Sequence, residues 1–114
     1  METNKRKVLF YGNYFQDFFI KLNSKTRDKI IWTLDLICEL EIIPETYLKH
    51  IEGTHGLYEI RVKQGNNIYR IFCFFEKGNV IIIVSGFQKK TQKTPKKEIE
   101  KALRIKKEYE EEKE

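Results

Sequence analysis

Leu57-Tyr58-Glu59-Ile60-Arg61-Val62-Lys63-Gln64, then Gly65-Asn66, then Asn67-Ile68-Tyr69-Arg70-Ile71-Phe72-Cys73-Phe74-Phe75, reads as a β-hairpin. Two strand-like runs flank a Gly-Asn pair of the kind that closes a two-residue turn. With that turn, Gln64 pairs with Asn67, Lys63 with Ile68, and Arg61 with Arg70. Like charges directly opposite one another destabilise a sheet, and neither guanidinium can release its proton. The pairing therefore predicts an anion between the two arginines, and phosphate is the anion whose oxygens best suit a guanidinium fork.

Outward from this hairpin, residues 80–87 read as a third strand after a Lys77-Gly78 turn, completing an antiparallel meander. That turn would pair Phe74 with Ile81, Phe72 with Ile83, Arg70 with Ser85 and Ile68 with Phe87. Alternation then puts Tyr58, Ile60, Val62, Tyr69, Ile71, Cys73, Phe75, Val80, Ile82 and Val84 on one face. The other face carries Glu59, Arg61, Lys63, Ile68, Arg70, Phe72, Phe74, Ile81, Ile83, Ser85 and Phe87. It is apolar at one end and polar at the other.

Upstream, residues 7–11 read as a short strand. Asn13 stands where it can cap a helix bearing Phe15, Phe18, Phe19 and Leu22, and Ser24 where it can cap a second bearing Ile30, Ile31, Leu34, Ile37 and Cys38. Apolar stripes at this spacing are core positions, so the two helices should form a hairpin against the first sheet face. Residues 44–56 read as a connection. Thr94 and Pro95 read as the cap and first turn of a last helix through Ile99, Ala102, Leu103 and Tyr109, with an acidic end over residues 108–114 expected to fray. The expected fold is α+β: a strand and helix hairpin packed on a meander sheet, plus a C-terminal helix.

Residues 1–114 are read as a single domain, long enough for its own core. Hydrophobic residues at 40% with eight Phe and six Tyr exclude a disordered chain. The start leads into no long apolar run, so neither a signal peptide nor a membrane span is expected. Cys38 and Cys73 lie inside apolar patterns, as reduced core thiols do, which points to the cytoplasm. The net charge of +5 is unevenly placed: residues 49–97 hold ten Lys or Arg against three acids, so the basic field belongs to the second half. Such a field attracts nucleic acid or an acidic protein.

The polar end of the second face gathers Arg61, Arg70 and Ser85, with Phe87 as a ring on which a base could stack. Beyond it, continued alternation points Lys89 into the arginine site and Lys90 away, with Lys93 following. Lys49, His55 and Lys63 complete the expected binding surface. A cationic cleft with an aromatic edge suits single-stranded RNA. The plainer reading is that Arg61 pairs with Glu59 or the acidic tail, that Arg70 lies over Phe72, and that the lysines are solvated. His50 and His55 have no Cys or carboxylate at ligand spacing, so neither a metal nor another cofactor is expected. No glycine-rich phosphate loop or nucleophile elbow occurs.

Leu57-Tyr58-Glu59-Ile60-Arg61-Val62, Tyr69-Arg70-Ile71, Gly86-Phe87-Gln88-Lys89-Lys90-Thr91 and Lys93-Thr94-Pro95 together resemble the HigB-like branch of the RelE toxin superfamily. The resemblance spans nearly the whole chain. It implies a RelE-like fold and the toxin of a type II toxin-antitoxin pair, a metal-independent endoribonuclease that cleaves messenger RNA at the ribosome. Its partner would be a HigA-like helix-turn-helix antitoxin. Arg61, Arg70 and Lys89 match basic active-site positions of the superfamily. The chain departs from RelE in carrying Glu59 where RelE has a lysine, and in lacking RelE's C-terminal tyrosine around residues 94–97. Glu59 is therefore the first candidate for proton acceptor and His55 the second. Two other functions fit the same resemblance or charge: a ParE-like inhibitor of DNA gyrase, and a non-catalytic RNA-binding module.

Overall fold

The computed structural model describes residues 5–113; residues 1–4, where the start was read for a leader, and Glu114 of the acidic end lie outside the described residues. The elements run β1 (Lys7–Phe10), α1 (Tyr14–Phe19), α2 (Ser24–Glu39), β2 (Leu48–His50), β3 (Tyr58–Gln64), β4 (Asn67–Glu76), β5 (Val80–Lys89) and α3 (Lys96–Lys113). They form one five-stranded sheet in the order β1-β5-β4-β3-β2. β1 lies parallel to β5, and the other neighbours are antiparallel.

The first hairpin has the register that its two-residue turn predicts, including Arg61 opposite Arg70. Gly65 adopts φ 62°, a left-handed conformation that costs a residue without Cβ little. The expectation fails at the second hairpin. Glu76 pairs with Val80 across three residues rather than two, with Gly78 at φ 74° and Asn79 at φ 64°. One extra turn residue moves each of the next β5 residues to the opposite sheet face. Ile81 and Ile83 therefore join the helix-hairpin side, and Ile82 and Val84 join the α3 side, the reverse of the sequence reading. A bulge then inserts Val84, so that Phe72 pairs with Ser85 while Cys73 pairs with Ile83. This second slip restores the original faces for Ser85, Phe87 and Lys89. Their partners become Phe72, Arg70 and Ile68.

The sheet separates two cores. On one side Phe15, Ile30, Leu34 and Ile37 of the helix hairpin bury Ile60, Val62, Tyr69, Ile71 and Cys73. On the other, Ala102 and Ile105 of α3 bury Phe72, Phe74, Ile82 and Val84. Each such aliphatic or aromatic side chain contributes roughly 1.5–3 kcal/mol by leaving water.

Caps differ from the sequence reading in ways that tie the elements together. Asn23, not Ser24, caps α2, accepting the Thr26 N–H at 2.8 Å. Asn13 stands at the α1 cap position but its side chain makes no capping bond. At the far end of α2 the Arg6 guanidinium donates to the carbonyls of Ile37, Leu40 and Glu41, supplying donors that the last turn lacks. The 44–56 connection contains β2, a short edge strand that buries Leu48 against the first core. The end of α3 is held rather than frayed: Tyr14 donates to Glu108 and Tyr11 to Glu112, while Tyr109 donates to Glu76.

Gly86 is where Phe18 of α1 closes directly onto the backbone of β5. A Cβ there would come within 2.7 Å of the Phe18 ring, itself packed against Tyr69. Gly86→Ala is expected to cost about 1–3 kcal/mol through overpacking, measured by urea unfolding. Adding Phe18→Leu should recover part of that loss. Unchanged stability in Gly86→Ala would show that the ring is not confined.

Candidate functional site

α3 covers only part of its sheet face, and the cross-strand rows beside it stay polar. The first row runs Lys49, Glu59, Phe72, Ser85; the second Arg61, Arg70, Phe87; the third Lys63, Ile68, Lys89. The Phe72 and Phe87 rings stack at 5.6 Å, forming an apolar floor that continues under α3. Arg70 is paired opposite Phe87 beside this floor and is 6% exposed.

Part of the anion that the opposed arginines require is supplied by the chain. Glu59 Oε2 lies 3.6 Å from Arg61 Nε and 3.5 Å from Arg70 Nε. Its other oxygen accepts the Thr94 hydroxyl at 3.1 Å. Thr94 is thus spent on Glu59 and does not cap α3, which begins at Lys96, with the Pro95 carbonyl accepting from Glu98 and Ile99. One carboxylate against two guanidiniums leaves an excess positive charge, to which Lys89 adds. Burial holds the Arg70 guanidinium below the usual arginine range, with Glu59 opposing and Arg61 reinforcing the shift. Partial burial likewise lowers Lys89, and the neighbouring Arg70 and Arg61 lower it further. Lys89 thus stands within the field of both arginines.

Three buried polar atoms here lack a hydrogen-bond partner among the described residues: Arg61 Nε, Arg70 Nε and Ser85 Oγ. Both Nε groups face Glu59 Oε2 just beyond hydrogen-bonding length, so their contact with it is ionic, while Ser85 Oγ lies one row away opposite Phe72. The remaining guanidinium contacts hold position. Arg61 Nη1 donates to the Glu45 carbonyl and Arg70 Nη1 to the Tyr69 carbonyl, each at 3.2 Å. A cleft of about 430 Å³ opens beside them, lined on the strand side by Arg61, Lys63, Ile68 and Arg70.

Of the residues singled out in the sequence, Glu59, Arg61, Arg70, Lys63 and Lys89 meet on this surface, with Lys49 next to Glu59 at the sheet edge. Lys90 and Lys93 are exposed on the segment that leads from β5 back over Glu59 to Thr94. Ser85 is buried opposite Phe72, one row from its expected place. Phe87 faces Arg70 but is 9% exposed and stacked on Phe72, so its ring is core and not open to a base. Glu59 is 7% exposed with both oxygens engaged, which suits a residue that orients the arginines better than a free proton acceptor. His55 lies elsewhere, in a hollow with Glu76, Lys106 and Tyr109 at the other end of α3. Thr94 was missed because a threonine before proline reads as a helix cap, and only the fold brings it to Glu59. Among the described residues no group of three or more His, Cys, Asp or Glu converges, and no helix is long and apolar enough to cross a membrane.

A family model described as Phage derived protein Gp49-like (DUF891) matches residues 17–107, a span that includes the whole cluster. No curated protein sequence matches this one. Among solved structures, a chain of the archaeal RelE-RelB complex from Pyrococcus horikoshii OT3 is similar at 19% identity. The match has a TM-score of 0.53 and covers 72% of this chain and 92% of that one. The α+β fold is therefore RelE-like, as the residue pattern led us to expect.

Glu59→Gln should expose the internal anion's role. Losing one partner of a buried ion pair costs roughly 3–5 kcal/mol. Inorganic phosphate should restore more stability to this variant than to the parent chain, as read by thermal unfolding. Equal stability of the two proteins, with equal response to phosphate, would mean that Glu59 does not balance the arginines.

Proposed function

The chain belongs to the phage-derived Gp49-like family, and we propose that it is the toxin of a type II toxin-antitoxin pair, a single RelE-like domain that cuts messenger RNA. The observation that carries this reading is the placement of Arg61, Arg70 and Lys89 on adjoining rows of one sheet face, with Glu59 as the carboxylate against the two guanidiniums. The RelE-like fold supports it, as does the complex in which the similar archaeal chain was solved, which gives the cognate antitoxin as a partner. The residue pattern of the strands and of residues 86–95 supports placing it in the HigB-like branch, with a HigA-like antitoxin, action at the ribosome and a cytoplasmic setting.

The chemistry that fits is attack by a ribose 2′-oxygen on the adjacent phosphorus. The 2′-O–P bond forms and the P–O5′ bond breaks, leaving a 2′,3′-cyclic phosphate and a free 5′-hydroxyl. Arg61 and Arg70 take the charge that grows on the phosphorane oxygens, and Glu59 keeps their Nε edges in place. Lys89 gives its proton to the departing O5′, a task for which its lowered pKa suits it better than an ordinary lysine. The 2′-hydroxyl proton goes to water.

Removing one cationic contact should cost on the order of 3 kcal/mol in the transition state, about a hundredfold in rate. Mapping of 5′ ends in cellular RNA after induction should show cleavage with the intact chain and none with Arg61→Ala/Arg70→Ala. Intact transcripts together with a DNA-damage response would favour a gyrase poison. RNA that shifts in mobility but stays whole would favour a binding module.

Lys89 supports a pH test. Its charge is fully present well below its lowered pKa and is lost as pH rises through that value, earlier than for an ordinary lysine. RNA affinity should therefore decline on the alkaline side. Lys89→Arg should remove that decline while cutting more slowly by about a hundredfold, since a guanidinium holds its proton. A variant that cuts at the parental rate would dismiss Lys89 as the acid.

A further inference from the structure

The cleft beside Arg61 has a second wall that the arginine cluster does not use. β2 pairs with β3 only at Tyr58, Glu59 and Ile60, so the outer edge of β3 is open farther along. The Arg61 N–H crosses that edge to the Tyr47 carbonyl at 2.8 Å. The N–H of Lys63, two residues on, points the same way. Across the cleft stands α2, which contributes Lys29 and Thr33 to the lining, with Tyr47 between the two walls. The Lys29 ammonium sits 4.8 Å above the Trp32 ring, and that ring meets Tyr47 edge-on at 6.3 Å. Trp32 is 49% exposed and is the chain's only tryptophan. Tyr47 is half-buried against the first core, which fixes its ring. An exposed aromatic joined to a fixed one beside a cationic groove forms the kind of platform on which single-stranded bases stack.

On the reading that the arginine cluster holds a scissile phosphate, we infer that this cleft holds the adjoining nucleotide of the RNA. Its phosphate lies between Lys63 and Lys29, and its base packs on the Tyr47–Trp32 edge. A cleft of about 430 Å³ has the capacity for one such unit, within the roughly 300–1,000 Å³ of small-ligand sites. The alternation of cation and ring favours a nucleotide over an acidic peptide, which would use the charges and leave the aromatic edge unfilled. Lys29, Tyr47 and Trp32 are then positioning residues for the strand, remote from the reacting atoms.

Trp32 makes the inference directly testable, because its emission is the protein's only tryptophan signal. The probe is a short single-stranded RNA with every sugar 2′-O-methylated, so that it binds without being cut, and with a fluorescein at its 5′ end. Fluorescein anisotropy reads binding anywhere on the protein; Trp32 stands at the rim of the cleft against the lining residues Lys29 and Tyr47, so its emission reads occupancy there. Both should change together as RNA is added. Lys29→Ala should weaken binding about threefold to tenfold and reduce the salt dependence by about one ion. Tyr47→Ala should weaken it about tenfold, with Tyr47→Phe retaining parental affinity and so separating stacking from folding. Anisotropy that rises while Trp32 emission stays constant, with Lys29→Ala binding normally, would overturn the cleft assignment and leave the arginine site standing. No anisotropy change even at low salt would overturn both. An oligoglutamate peptide that moves Trp32 emission where RNA does not would assign the cleft to an acidic protein segment instead.

Discussion

Two arginines facing each other across a hairpin are the constraint from which the surface follows. Strand pairing leaves Arg61 and Arg70 no choice but proximity, since a one-residue slip would turn Ile60, Val62, Tyr69 and Ile71 out of a closed core. Charge must then be balanced where it stands. Glu59 does half of this from the adjacent row, and Thr94 fixes the carboxylate by returning from the end of β5. The balance remains incomplete, with two guanidiniums and a neighbouring lysine against one carboxylate. A site with three cations facing one carboxylate is prepared for an anion, and Glu59 keeps it from collapsing in that anion's absence.

Location follows from how α3 is used. Its apolar positions cover Phe72, Phe74, Ile82 and Val84, and the Phe72–Phe87 stack carries the apolar layer up to Arg70. Low polarity around the buried guanidinium strengthens its attraction for an anion that reaches it. The same burial opposes the charge and moves the Arg70 and Lys89 pKa values down, while the Glu59 carboxylate opposes that shift in both.

Much of this was legible in the residues because it rests on local rules. A Gly-Asn turn sets a register, and alternation in β3 and β4 sets two faces; Arg61, Arg70 and Glu59 follow from those alone. The second hairpin was not legible. Asn79 takes a left-handed conformation that Lys77-Gly78 does not announce, and the bulge at Val84 carries no proline or glycine to mark it. The two errors cancel beyond Ser85, so Phe87 and Lys89 reached the expected face for an incomplete reason. Phe87 as an open ring and His55 as a site residue failed because each depends on what α3 covers. Lys29, Tyr47 and Trp32 were invisible as a group because nothing in the chain shows that β2 stops short of Arg61.

The central claim is that this cluster holds one phosphodiester rather than offering a diffuse positive surface. Replacing single linkages of a short uncleavable RNA by neutral methylphosphonate, one position at a time, tests that claim by isothermal titration. One linkage should stand out, losing about a hundredfold in affinity, with a smaller loss at its immediate neighbour and little elsewhere. An equal, shallow loss at every linkage would contradict the account and leave Arg61, Arg70 and Lys89 as a solvated basic patch.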